Sequence, residues 1–335
     1  MDLKNRKILV TGGAGFIGSH LCDRLLREGV EVTSFDNLST GKLSNLEHIK
    51  TQIEIIKGDV VDEKAIGKAA RNKDIILHMA YPYGAASRDV DKQFVEDGAI
   101  GTFNILRAAL KNDVKKVVYA STVAVYGLSK SSVQKEDDRT IPFLPYGATK
   151  LLGELYCSSF SSVYGLDTAS LRYFNVFGPR YAVFDHSALI TFLEHALKGR
   201  DVIIYGDGAQ VRDYTYIDDI VEGTLLAAQK KNTNGAVYNI AKGKGTSIIE
   251  LAKIIVKTAD SKSRIRFAKK EEYRFTSKGL PYGVTKAEGG KFIDERNYTA
   301  DINFAVKELD YDPKFTIEDG IAKTLEWLKD VQKLR

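Results

Sequence analysis

The stretch KILVTGGAGFIGSHL (7–21) constrains this chain more than any other, because it joins a β-branched run to a helical segment through three spaced glycines. Gly12, Gly15 and Gly18 remove side chains from the turn, so that backbone N–H groups at a helix N-terminus can approach a pyrophosphate. The rhythm then continues. Residues 16–28 read as a helix and VEVTSFD (30–36) as a strand, with further strands predicted at 53–59, 74–80 and 116–122. Between the last two, residues 93–110 are long enough for five helical turns, and 167–178 supply one more strand and a turn. Strands alternating with helices imply parallel pairing, and hence an α/β, Rossmann-like doubly wound sheet. Beyond Pro179 the pattern loosens into helices at 188–198, 219–230, 247–258 and 317–328, with short strands between them. The expected division is 1–175 for a dinucleotide-binding domain and 176–335 for a smaller α/β lobe, with some segments crossing back. Residues 269–296, rich in Lys, Glu and Gly without a clear period, read as a long loop.

Composition narrows the functional classes. A chain of 335 residues with 44% apolar and 28% charged residues is globular rather than disordered. Its net charge of +5 is spread in mixed sign, with no basic run interleaved with aromatics; this speaks against a nucleic-acid surface and suits an anionic small substrate. Cys22 and Cys157 are the only cysteines, which argues against a disulfide framework or a metal site, and neither metal nor disulfide is expected. Met1 leads into KNRKILVTGG without the apolar core of a secretory leader, and no stretch is apolar enough to span a bilayer; a cytoplasmic location without membrane contact is expected.

The carboxylates that follow the glycine turn select the nucleotide. Asp36 ends the second strand 18 residues after Gly18, where it can accept both ribose hydroxyls, and no Arg follows at once to receive a 2′-phosphate. This reads as NAD rather than NADP. Asp59, closing IEIIKGD, is the candidate partner for the adenine amino group.

A second signal is PYGATK (145–150), nearly repeated as PYGVTK (281–286). A Tyr and a Lys four apart share one face of a helix. The spacing alone is cheap, for it recurs at Tyr126/Lys130 and Tyr238/Lys242. Context separates the copies. Tyr146 leads into a helix-forming segment whose Leu151, Leu155 and Phe160 suit one face, and Thr122 stands at a strand's carboxyl end upstream. Tyr282 instead precedes AEGGKF, which cannot hold a helix, so the second copy is read as a look-alike.

Together, TGGAGFIGS, FDNLSTG, GDV, HMA, the Thr122 strand end, YGATK, RYFNVFGPR and YGDGAQVRDYTYIDD resemble the extended short-chain dehydrogenase/reductase family, in its nucleotide-sugar epimerase and dehydratase branch. The matching motifs run in order from residue 8 to about residue 240; the final 95 residues match loosely. The resemblance implies Thr122, Tyr146 and Lys150 as catalytic residues. It adds to the cofactor contacts Phe16, Ile17, Asn37, Ser39, Thr40, Gly41, Val60, Met79, Ala80, Tyr81 and Phe174, with Tyr146 and Lys150. It places Asn175 and Arg212 toward the substrate diphosphate and Tyr205 toward its base, and it implies a homodimer through 93–110 and 146–163.

The chemistry implied is acid–base work coupled to hydride transfer. A phenol titrates near pH ~10, and bringing it to neutrality takes roughly 4 kcal/mol. One cation ~4 Å away at an effective dielectric of about 20 supplies about that much, so Lys150 can acidify Tyr146, with oxidised nicotinamide as a second cation. Such enzymes are expected to oxidise the sugar at C4. The dehydratases carry Asp-Glu after the threonine, and the uronate decarboxylases a Glu at the second position; here stand Val123 and Ala124, which transfer no proton. The reading is therefore 4-epimerisation of a nucleotide sugar, with UDP-glucose/UDP-galactose, UDP-glucuronate and a deoxy-sugar nucleotide all admissible. Dehydratase or decarboxylase, simple NAD-dependent dehydrogenase or reductase, and a non-enzymatic sugar-nucleotide binder are the alternatives. Three departures from the family pattern stand out: Tyr81-Pro82-Tyr83-Gly84 after HMA, Gly98 where relatives carry Asn, and no recognisable Arg-Gly-Asp closure in 278–296.

Overall fold

The computed structural model describes residues 2–82, 92–127, 131–142, 144–181, 187–268 and 297–333. The 281–286 hexapeptide, the loop expected at 269–296, Lys130, Tyr83 and Gly84 lie outside the described residues. The first half runs β1 (Lys7–Thr11), α1 (Phe16–Arg27), β2 (Glu31–Asp36), β3 (Glu54–Lys57), α2 (Glu63–Ala69), β4 (Ile75–His78), α3 (Lys92–Val95), α4 (Thr102–Lys111) and β5 (Lys116–Thr122). The short β6 (Val133–Gln134), α5 (Pro145–Tyr164) and β7 (Asp167–Tyr173) follow. After β8 (Val176–Phe177) come α6 (Ala188–Leu197), β9 (Val202–Ile204), β10 (Val211–Asp213), β11 (Thr215–Tyr216), α7 (Ile217–Gln229) and β12 (Ala236–Ile240). The chain closes with β13 (Gly245–Ser247), α8 (Ile248–Thr258), β14 (Ile265–Phe267), β15 (Thr299–Ala300), α9 (Asn303–Leu309) and α10 (Ile317–Lys333).

Seven strands form one parallel sheet in the order β3-β2-β1-β4-β5-β7-β12. The inner strands β4 and β5 are buried along their whole length, as a sheet covered on both faces requires. Successive residues feed opposite layers. Ile8, Val10, Leu77 and Val118 join a core beneath α1 and α7, whereas Leu9, Ile76, Val117 and Tyr119 join one beneath α2, α4 and α5. The strand order reverses between β1 and β4, so a crevice opens beyond their carboxyl ends.

The second half crosses back. β12 pairs in register with β7, from Ala236↔Ala169 to Ile240↔Tyr173, and α7 packs on α1. The remainder builds four two-stranded pairs, β8 with β11, β10 with β13, β9 with β14 and β6 with β15.

One predicted helix is interrupted. Residues 93–110 do not form a single α-helix; Glu96–Gly101 adopts a π-helical turn between α3 and α4. Such turns insert an extra residue and frequently occur at working sites. The face predicted for α5 is also partly corrected, because Leu155 is 58% exposed while Lys150, Gly153, Glu154, Cys157 and Phe160 point inward. The inward stripe is small and charged as well as apolar, so hydrophobic spacing alone misassigned it. Cys22 and Cys157 are buried and form no disulfide. Among the described residues no helix is long and apolar enough to cross a membrane, and no His, Cys, Asp or Glu cluster could hold a metal ion.

Candidate active site

At the end of β1 the chain must turn sharply. Gly12 has a left-handed backbone (φ 69°), and a Cβ there would lie 2.8 Å from the Ala80 Cα. Gly18 is closer packed still, its would-be Cβ falling 2.1 Å from the Gly12 carbonyl oxygen. Gly15 caps α1 with no side-chain hydrogen bond, which leaves first-turn amides available to an anion. Phe16 and Ile17 begin that helix half-buried.

Asp36 is buried at the end of β2. Its carboxylate accepts from the Ala14 N–H (3.0 Å) and the Leu38 N–H (2.8 Å). Burial pushes its pKa up and those two amides pull it back. The loop that follows folds onto the turn: a Cβ on Gly41 would touch both Asp36 oxygens at 2.9 Å, and the Lys42 N–H donates to the Ala14 carbonyl (3.0 Å). Ser39 and Thr40 are exposed on it. Asn37 donates to Asp59 (2.9 Å), whose other oxygen accepts the Val61 N–H (2.9 Å), and the buried Val60 offers its carbonyl to Asn104 (3.2 Å). Across the crevice the Met79 N–H donates to the Thr11 carbonyl (3.1 Å) and the Ala80 N–H to the Thr11 hydroxyl (3.3 Å). A cradle that any Cβ would fill, beside uncapped helix amides and a strand-end carboxylate, fits a dinucleotide whose ribose lies at Asp36.

The three residues expected to act on substrate come from two elements. Thr122 ends β5, 7% exposed, with its Oγ1 accepting the Ala124 N–H (3.2 Å). Tyr146 and Lys150 lie in the first turns of α5, which starts with Pro145 at its first position. A Cβ on Gly147 would meet the Ala124 carbonyl oxygen at 2.6 Å, and one on Gly153 the Tyr119 hydroxyl at 2.3 Å. Two glycines thus let the start of α5 lie close against β5 and the 122–125 turn. Lys150 is buried, and its Nζ donates to the Ala120 carbonyl (2.8 Å). Desolvation draws its pKa down to about 7, so burial works against the full positive charge that the Tyr-Lys spacing suggested. Nearby, neutral His78 bridges the Thr11 (2.8 Å) and Thr102 (3.1 Å) hydroxyls, its pKa lowered to about 3 by burial and by Lys150.

Behind these residues lies a buried polar network. Arg172 donates to both oxygens of Glu154 (3.0 and 2.8 Å), and Ser121 donates to Glu154 as well. The guanidinium sits 4.6 Å over the Tyr126 ring, whose hydroxyl donates to Asn239 (2.7 Å). Glu154 follows Lys150 by one helical turn and Ser121 precedes Thr122, so the network clamps α5 to β5 and β7 directly under the site.

Other expected residues divide. Tyr81 stands where β4 ends, its ring edge-on to Tyr146 with centroids 5.3 Å apart. Two sequence departures meet here, since a Cβ on Gly98 would lie 2.9 Å from the Tyr81 ring. Asn175 is exposed just past β7, Tyr205 is 42% exposed past β9, and Arg212 on β10 lies 4.9 Å over the Tyr298 ring. Phe174 is fully buried among Val125, Tyr126, Ala241 and Ala300. Sequence reasoning missed Gly147, Gly153 and Glu154; the one available signal was a helix face of small and charged residues.

Comparison with known proteins places the chain in a family. Residues 8–241 match the family described as NAD dependent epimerase/dehydratase. A UDP-N-acetyl-alpha-D-glucosaminuronate decarboxylase of Bacillus cytotoxicus is 33% identical, over 98% of this chain and 99% of that protein. A UDP-glucose 4-epimerase of Mycolicibacterium smegmatis is 31% identical, over 97% and 99%. The solved UDP-glucuronic acid 4-epimerase from Bacillus cereus, in complex with UDP-glucuronic acid and NAD, superposes with a TM-score of 0.82 at 31% identity, covering 97% of this chain and 99% of that one.

Proposed function

The chain belongs to the NAD-dependent epimerase/dehydratase family, and on that premise we propose that it interconverts a UDP-sugar and its C4 epimer through a transient 4-keto sugar. NAD is the cofactor, and when bound it accepts a hydride from the sugar carbon and returns it. Tyr146 takes the proton of the C4 hydroxyl as that carbon is oxidised and gives it back on reduction. Thr122 holds the same oxygen in place. Lys150 stabilises the phenolate, and a phenolate beside Lys150 in turn favours the ammonium over the neutral amine. Gly12, Gly15 and Gly18 admit the pyrophosphate, Asp36 takes the ribose hydroxyls, and Asp59 the adenine. Residues 1–175 form the cofactor-binding part, and 176–335 the sugar-nucleotide part with Asn175, Tyr205 and Arg212 at its edge.

The observation that carries this reading is the pair Val123 and Ala124. They follow Thr122 at the site rim, half-buried, and neither can move a proton or expel a leaving group. With no second acid or base there, the keto sugar has one open course, to present its other face and be reduced again. Decarboxylation of a UDP-uronate is the second reading, favoured by the 33% identical decarboxylase.

The purified enzyme, incubated in turn with UDP-glucose, UDP-galactose, UDP-glucuronate and UDP-N-acetylglucosaminuronate, should convert one of them to an isomer of equal mass without added NADH. Loss of CO₂ would install the decarboxylase instead, and loss of water a dehydratase. Tyr146→Phe should lower turnover about 10²–10⁴-fold with NAD binding retained; undiminished turnover would remove Tyr146 from the chemistry.

A further inference from the structure

We propose that Tyr81 is a positioning residue for Lys150, its ring face holding the lysine ammonium against the Ala120 carbonyl and thereby setting how strongly that ammonium favours the Tyr146 phenolate. The inference rests on the reading of Tyr146 and Lys150 just given. Lys150 Nζ lies 4.4 Å from the Tyr81 ring centroid and 5.1 Å from that of Tyr119. Among the described residues no carboxylate pairs with it, so two π-faces and one carbonyl stand in for lost water.

The Tyr81 ring is fixed on every side. Thr149 gives its hydroxyl proton to the Tyr146 carbonyl (3.0 Å), so the 3.0 Å contact between Tyr81 and Thr149 has the Tyr81 hydroxyl as donor. One face stacks on Phe94, with centroids 6.0 Å apart and planes at 26°. Space for the ring exists because residue 98 is glycine; a Cβ there would lie 2.9 Å from both Tyr81 Cε2 and Thr149 Cβ. The π-helical turn Glu96–Gly101 is what carries Gly98 to this point. A ring wanted only for bulk needs neither its face on an ammonium nor its edge on the Tyr146 ring, and Tyr81 has both.

His78 feels the Lys150 charge directly, and the titratable groups coupled to the two rings that flank the lysine are Asp97 through Tyr81, and Cys157, Glu154 and Tyr146 through Tyr119. Burial holds the Tyr81 phenol up at about 12, so it remains a neutral donor while Tyr146 titrates.

The test is a near-ultraviolet phenolate titration of the NAD-saturated protein, with the matching Tyr146→Phe curve subtracted in each background to isolate Tyr146. Tyr81→Leu should raise the Tyr146 midpoint by about one pH unit, and Tyr81→Phe, which keeps the ring, should move it much less. Gly98→Ala, which pushes the ring aside, should shift it in the same direction, with no further shift in Tyr81→Leu/Gly98→Ala. An unchanged midpoint in Tyr81→Leu overturns the proposal while leaving the phenolate mechanism standing; if that variant does not fold, an unchanged midpoint in Gly98→Ala overturns it equally. A wild-type midpoint at the ordinary ~10 would remove the acidified phenol itself, and this inference with it.

Discussion

Gly147 and the Ala124 carbonyl approach so closely that a single methyl on the glycine would lie 2.6 Å from the oxygen. This contact limits how far the first turn of α5 can shift on the turn that follows β5. Tyr146 precedes Gly147 and Thr122 lies two residues before Ala124, so a shift here is expected to move the two residues relative to each other.

Gly147→Ala tests that dependence. The added carbon must push the helix start off the 122–125 turn, and a displacement on the order of 1 Å between reacting groups costs about 10²-fold in rate. Steady-state kinetics should show the loss in kcat, with NAD affinity little changed because the glycine cradle lies elsewhere. Wild-type turnover would mean that the backbone absorbs the methyl.

The Arg172–Glu154 pair should dominate local stability. Both side chains are about 95% buried, and removing one partner of such a pair costs on the order of 3–5 kcal/mol, because a desolvated charge is left alone. Glu154→Gln is expected to lose about that much in denaturant unfolding. Replacing both, as Glu154→Leu/Arg172→Met, should recover much of it. A near-neutral Glu154→Gln would show that water reaches the guanidinium.

Lys150 gives stability a pH dependence of known sign. Its folded pKa, about 7, lies below the ordinary 10.5. Below pH 7 both states hold the proton, and the folded state bears the full cost of a buried charge. Between 7 and 10.5 the unfolded chain binds more protons, so this contribution to stability improves as pH rises. In NAD-free protein, Lys150→Met should therefore stabilise most near pH ~6, with the advantage shrinking by pH ~9.5. A gap in melting temperature that is constant or widens with pH would contradict the assigned burial effect.

The outer face of α4 and α5 is where the expected self-association can be tested. Phe103 packs edge-on to Phe160 (5.8 Å), which meets Tyr164 (5.2 Å), and Val163 beside them is 70% exposed. Apolar residues gathered on one helical face favour a partner of the same kind. Light scattering should find a dimer for the native chain and a monomer for Phe103→Glu/Val163→Glu; a monomeric native chain would refute the expectation.

The parallel sheet and the NAD dependence were legible in sequence because each depends on near neighbours, glycine at a turn and a carboxylate at a strand end; the Tyr146–Lys150 spacing is equally local, and its expected role is what Tyr146→Phe tests. The π-helical turn, the exposed Leu155 and the buried Phe174 were not legible, since each is decided by what packs against it from a distant part of the chain. The same holds for the charge of Lys150, which its identity and spacing present as a plain cation. Only the folded chain surrounds it with two tyrosine rings and a carbonyl and withdraws the water that would have stabilised its charge.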